Sequence, residues 1–101
     1  MDARGRKALR EIKACFSTER LIVLKHFTRR MDGRGLFWPD IRTVVDDPSQ
    51  VRDGGPDEHG RQTWILRGKA TEGSEIELVC AMDHDEKGDF VVLITVYWDE
   101  D

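Results

Sequence analysis

Apolar positions divide this chain into a helical first half and a stranded second half. In residues 3–15, Leu9, Ile12 and Phe16 follow a 3,4 spacing with Ala8 beside them, and Arg4, Arg6, Lys7, Arg10 and Lys13 cover the rest of the surface. That pattern predicts an amphipathic helix, ended by Ser17-Thr18. Leu21 to Leu24 is a short aliphatic, partly β-branched run whose length favours a strand. A short helix follows from about His26, with Phe27 and Met31 on a core-facing stripe, and Gly35 predicts its C-cap. Pro39 and Asp40 suit the first turn of a third helix with Ile41, Val44 and Val45 on its apolar face. Asp46-Asp47-Pro48 ends it, because the residue before a proline avoids helical geometry.

Alternation replaces helical spacing in the second half. Residues 49–60, with Asp53-Gly54-Gly55-Pro56-Asp57 in the middle, read as an exposed loop with room for a short strand near Val51. Strands are predicted over 61–67, 75–82 and 90–98. In the second, Ile76, Leu78, Cys80 and Met82 face in and Glu75 and Glu77 face out. The third is apolar on both faces, as an interior strand is, and simple alternation puts Thr95 and Tyr97 on one face with Val91 and Leu93. Lys69–Ser74 and Asp83–Asp89 are left as hairpin loops, and Asp99-Glu100-Asp101 as a frayed acidic tail. Helices gathered before a meander predict an α+β fold: N-terminal helices packed on an antiparallel sheet of three to four strands, in two layers. The expected core includes Phe27, Val44, Trp64, Leu78, Cys80, Leu93 and Ile94.

Length changes the picture little: 101 residues make one domain, 1–101. Charge changes it more. The net charge of −4 argues against nucleic acid, yet residues 1–42 hold 11 Lys+Arg against 5 Asp+Glu, and residues 43–101 hold 5 against 15. A balance of +6 followed by −10 predicts either a basic face on the N-terminal half or basic helices that neutralise an acidic sheet. Cys15 and Cys80 stand apart in apolar patterns and are expected as buried reduced thiols. The charged N-terminus is unlike a signal peptide and no apolar run is long enough to span a bilayer, so a cytoplasmic protein with no membrane association is expected.

The candidate chemistry lies on the second helix. His26, Arg30 and Arg34 are four residues apart and share one stripe. A histidine can move a proton near neutral pH, and two guanidinium groups beside it can hold a phosphodiester or stabilise charge gathering on phosphorus. Thr95 and Tyr97 on the last strand add a hydroxyl and a ring able to stack on a base. Arg29 and Arg67 are further candidates for substrate contact. No histidine has metal-ligand spacing to a cysteine or to another histidine, and Asp83–Asp89 resembles only half an EF-hand loop, with Ile94 where the bidentate glutamate belongs. No metal and no cofactor is therefore expected.

The stretch His26…Arg30-Met31…Arg34-Gly35-Leu36, a helix ending at Asp47-Pro48, and the last strand Ile94-Thr95-Val96-Tyr97 resemble the small bacterial DUF4258 family over about residues 20–98. The helix at 3–15 lies outside the resemblance. It implies a compact fold related to RelE-like toxins and a partner antitoxin, a zinc-finger or DNA-binding protein. The implied activity is a metal-independent endoribonuclease acting on RNA, with catalytic roles for His26, Arg30, Arg34 and Thr95. Such toxins are usually basic, and this chain is acidic overall. The alternative is a non-catalytic binding module whose basic helical face engages an acidic protein partner or nucleic acid.

Overall fold

The chain runs α1 (Ala3–Ser17), β1 (Leu21–Val23), α2 (Lys25–Arg34), α3 (Trp38–Asp46), β2 (Gln50–Pro56), β3 (Gln62–Lys69), β4 (Glu75–Asp85) and β5 (Gly88–Trp98) in a computed structural model that describes residues 1–98. The expected acidic tail, Asp99 to Asp101, lies outside the described residues. Each helix starts and stops for a local reason. Asp2 caps α1, its carboxylate accepting the Gly5 N–H at 2.7 Å. Gly35 closes α2 in the left-handed region at φ 67°, where a side chain would be strained. Pro39 sits in the first turn of α3, and Asp40 accepts the Phe37 N–H at 2.9 Å.

The strands form one sheet in the order β1-β5-β4-β3-β2. The meander β2 to β5 is antiparallel, and β1 lies parallel to β5 on its far side. The sheet is thus five-stranded and mixed rather than an antiparallel sheet of three to four strands. The difference comes from its two edges. β2 occupies most of the stretch expected to be a loop, because an edge strand tolerates Pro56 at its end and a bulge absorbs the glycines. Gly54 is the extra residue there: a Cβ on it would lie 2.4 Å from the Thr63 hydroxyl. The loop expected at Asp83–Asp89 is equally shortened. Asp83, His84 and Asp85 stay paired with Phe90, Asp89 and Gly88, which leaves Glu86-Lys87 as the turn. Ladder hydrogen bonds need only backbone, so polar side chains do not end a strand.

A second bulge falls in β5. Val79 pairs with Thr95, and Cys80 pairs with Leu93, so Ile94 is unmatched. Val91 and Leu93 face the helices, and after the extra residue so does Val96, while Thr95 and Tyr97 face the other way. This corrects the simple alternation and explains why Ile94 is half-buried, not core.

All three helices cover one face of the sheet. Ile12, Cys15, Phe27, Met31, Ile41 and Val44 join Trp64, Leu66, Leu78, Cys80, Leu93 and Val96 in one buried cluster. Phe27 stacks on Trp38 with ring centroids 6.0 Å apart. Both cysteines are free and buried, and burial pushes the Cys80 thiol up to about 12. Among the described residues no helix is long and apolar enough to cross a membrane.

Asp40 ties α3 to the β3–β4 hairpin. Only 6% exposed, it accepts the Thr71 hydroxyl, the Phe37 N–H and the Thr71 N–H. Burial raises its pKa, but the Thr71 hydroxyl and the two N–H donors outweigh that and hold it below the ordinary carboxylate value. A pKa depressed by folding contributes stability above the unfolded value, and that contribution is lost as pH falls through the folded value. Urea midpoints of the native chain and Asp40→Asn are therefore expected to differ most above about pH 5 and to converge only as pH falls below the ordinary carboxylate value. A difference that stays constant across that range would contradict this role.

Candidate functional site

The site is set by where β1 stops. β1 pairs with β5 only over Val91 to Leu93, and the Leu24 N–H makes the last bond, to the Leu93 carbonyl at 3.2 Å. The Leu24 carbonyl then accepts the Phe27 N–H at 2.9 Å, and the chain turns into α2. Beyond Leu93 the outer edge of β5 has no strand beside it among the described residues, and α2 packs against β5 there. Near the other end of α2, Arg30 Nε donates to the Val96 carbonyl at 3.1 Å. These two anchors make α2 run beside β5 in the same direction. Of the stripe of His26, Arg30 and Arg34, one helical turn apart, Arg30 is the residue seen to meet the edge of β5.

Arg30 is the hinge of the arrangement. Its guanidinium carbon lies 5.5 Å from the ring centroid of Tyr97, within cation–π range. Tyr97 is 38% exposed on the helix-free face of the sheet. Thr95, two residues earlier on the same face, is 6% exposed, and its Oγ1 has no hydrogen-bond partner among the described residues. A buried hydroxyl without a partner costs about 1–3 kcal/mol.

Of the residues expected from sequence, Arg30 and Tyr97 are in contact, and Thr95 lies buried on the same face as Tyr97. His26 is exposed one turn before Arg30, with no side-chain hydrogen bond among the described residues. Arg34 is half-buried at the last position of α2. Arg29 is exposed but lies about 100° round the helix from Arg30. Arg67 stands elsewhere. It lies across the sheet, its Nε 2.7 Å from Glu75 and its Nη1 3.4 Å from Glu77, and Arg52 Nη1 reaches Glu77 at 3.2 Å. Two arginines and two glutamates cancel there. Glu77 and Tyr97 face each other across β4 and β5, so the network borders the site. Arg52 was not legible because its strand read as a loop; Glu77 was read only as facing outward.

The residue charges along α2 differ in sign from those of the whole chain. α2 carries Lys25, Arg29, Arg30 and Arg34 against Asp32. Elsewhere the basic half does neutralise the acidic one: Arg4 meets Asp53 at 3.0 Å, and Arg20 pairs with Asp85. The expectation that basic helices neutralise the acidic half holds at these two pairs.

An open cavity of about 520 Å³ lies away from α2, between Arg10, Cys15, Arg20, Lys87 and Asp89. Its cysteine is no activated nucleophile, since burial and the Asp89 carboxylate raise the Cys15 pKa more than Arg20 lowers it. Among the described residues no group of three His, Cys, Asp or Glu side chains could hold a metal ion.

A family model described as a domain of unknown function, DUF4258, matches residues 23–98. That span takes in β1's last residue and every element from α2 to β5, and leaves out α1. No curated protein and no solved structure matches the chain.

The orphaned hydroxyl makes a direct prediction. Thr95→Val keeps the shape and removes the unpartnered oxygen, so it is expected to raise unfolding stability by about 1 kcal/mol or more. Loss of stability on denaturant titration would show that the hydroxyl has a partner in the free protein.

Proposed function

The chain belongs to the DUF4258 family, and from that premise we propose that it is the toxin of a bacterial toxin–antitoxin pair, a metal-independent endoribonuclease of the RelE-like class. The observation that carries the proposal is the α2–β5 edge. It presents an exposed imidazole, cationic side chains and a buried hydroxyl with no partner beside one open sheet face.

Cleavage without a metal needs a base for the RNA 2′-hydroxyl proton, positive charge on the phosphoryl oxygens, and a proton for the leaving oxygen. His26 takes the 2′-hydroxyl proton, the 2′-oxygen attacks phosphorus, and the bond to the 5′-oxygen breaks, with solvent supplying the proton to that oxygen. Arg30 and Arg34 offset charge on the non-bridging oxygens, and Thr95, whose hydroxyl is buried in the free protein, donates to one of them only once the ligand uncovers it. Tyr97 offers a face on which a base stacks, and Arg29 meets backbone phosphate. Arg67, held by Glu75 and Glu77, orders the border of the site and contributes to binding only through its field. The products are a 2′,3′-cyclic phosphate and a free 5′-hydroxyl. The cognate antitoxin, a zinc-finger or DNA-binding protein, covers this edge.

One observation favours the second reading, a binding module that holds nucleic acid or an acidic protein without cutting. Efficient bases are usually oriented by a third group, and no side chain among the described residues hydrogen-bonds His26. Single-turnover cleavage of RNA, with and without a chelator, separates the two. The ribonuclease reading expects chelator-resistant cleavage that His26→Ala slows by about 10²–10⁴-fold, and that Arg30→Ala slows more than it weakens binding. Tight RNA binding without cleavage establishes the binding module. Absence of both removes RNA as the ligand.

A further inference from the structure

The outer edge of β1 is unpaired and bears the pattern of a strand that pairs with itself. Inside the sheet, the Val91 N–H donates to the Arg20 carbonyl at 3.0 Å and the Leu24 N–H donates to the Leu93 carbonyl at 3.2 Å. In a parallel ladder such bonds come from alternate residues, so Arg20, Ile22 and Leu24 address β5 while Leu21 and Val23 turn their N–H and C=O groups outward. Neither of those residues has an outward backbone partner among the described residues.

The side chains around this edge are also unfinished. Ile22 is 47% exposed on the helix-free face. On the helix face Leu21 and Val23 line an open cavity of about 430 Å³ with Phe16, Trp38, Glu19 and Arg42. A bare edge beside exposed apolar side chains is a site for strand addition.

We propose that this edge binds a second copy of the chain, β1 against β1 about a two-fold axis at Ile22, joining two sheets into one of ten strands. Only one antiparallel register uses all four outward groups. It sets Leu21 opposite Val23 of the partner subunit, and the reverse, as two hydrogen-bonded pairs. Ile22 then meets Ile22 of the partner subunit in the closer, non-hydrogen-bonded pair between them. The same register carries the charge complementarity that selects a second copy over another strand. It brings Glu19, just before β1, toward Lys25 of the partner subunit, just after β1, twice by symmetry. Glu19 and Lys25 are both exposed, and neither has an ion-pair partner among the described residues. The partner's strand also lays its apolar helix-face side chains beside the cavity at Leu21 and Val23. This inference is independent of the ribonuclease reading: it rests on Glu19, Ile22 and Lys25 and uses none of His26, Arg30 or Arg34.

Sedimentation equilibrium of the full chain tests it. The native protein is expected at about twice its 11.7 kDa mass, shifting to monomer on dilution. Glu19→Lys or Lys25→Glu alone makes two cross-strand pairs repulsive and is expected to weaken the dimer by about tenfold, and the double exchange restores it. Ile22→Cys is expected to form an intersubunit disulfide under mild oxidation, since facing non-hydrogen-bonded residues lie within bridging distance, whereas Gln50→Cys on the opposite edge stays reduced. A native chain that remains monomeric at the highest soluble concentration overturns the proposal. So does a dimer that ignores the charge exchange and leaves Ile22→Cys unlinked, because it would use another face.

Discussion

One extra residue in β5 decides what the rest of the molecule can present. Without the bulge at Ile94, the strand would alternate regularly from Val91 to Trp98, and Thr95 and Tyr97 would lie under the helices with Val91 and Leu93. With it, Val96 enters the core and the hydroxyl and the phenol ring move to the open face. The carbonyl of Val96 then points to the strand edge, where Arg30 takes it, and the guanidinium comes to rest over Tyr97. Side-chain direction and cation position at the site follow from this local change of register.

The second constraint is the shortness of β1. Three residues pair with the first part of β5 and no more, so the remaining edge is available to a helix. A longer β1 would bury that edge as sheet and push α2 away from it. The same brevity leaves β1's own outer side with few groups to satisfy, which is how a protein limits uncontrolled pairing at an edge.

Most of the elements could be read from the sequence because their signals are local. Helix spacing at Ala8, Leu9, Ile12 and Phe16, the Gly35 cap, Pro39 in a first turn and the alternation from Ile76 to Met82 each act within a few residues. The missed features are non-local. β2 is a strand because β3 offers it a ladder, although Gly54, Gly55 and Pro56 argue for a turn. The bulge at Ile94 arises from pairing with β4, and an apolar run such as Val91 to Val96 contains nothing that marks the unmatched residue. The stripe on α2 was legible as a helical face, since His26, Arg30 and Arg34 need only the helix to align them. That Arg67 would be held by Glu75 and Glu77 depends on the register of β3 with β4, which spacing along one strand does not contain. Family resemblance located the same stripe, and the family match over residues 23–98 begins just before it.

The central claim is that ligand meets the protein along the α2–β5 edge and the open face beside it. Titration of isotope-labelled protein with a short RNA blocked at its 2′-positions, followed by backbone amide shifts, tests this most directly. The account predicts shifts concentrated at His26, Arg30, Thr95 and Tyr97 that weaken as salt is raised. Shifts centred instead on Arg10, Lys87 and Asp89, or on β2, would contradict it.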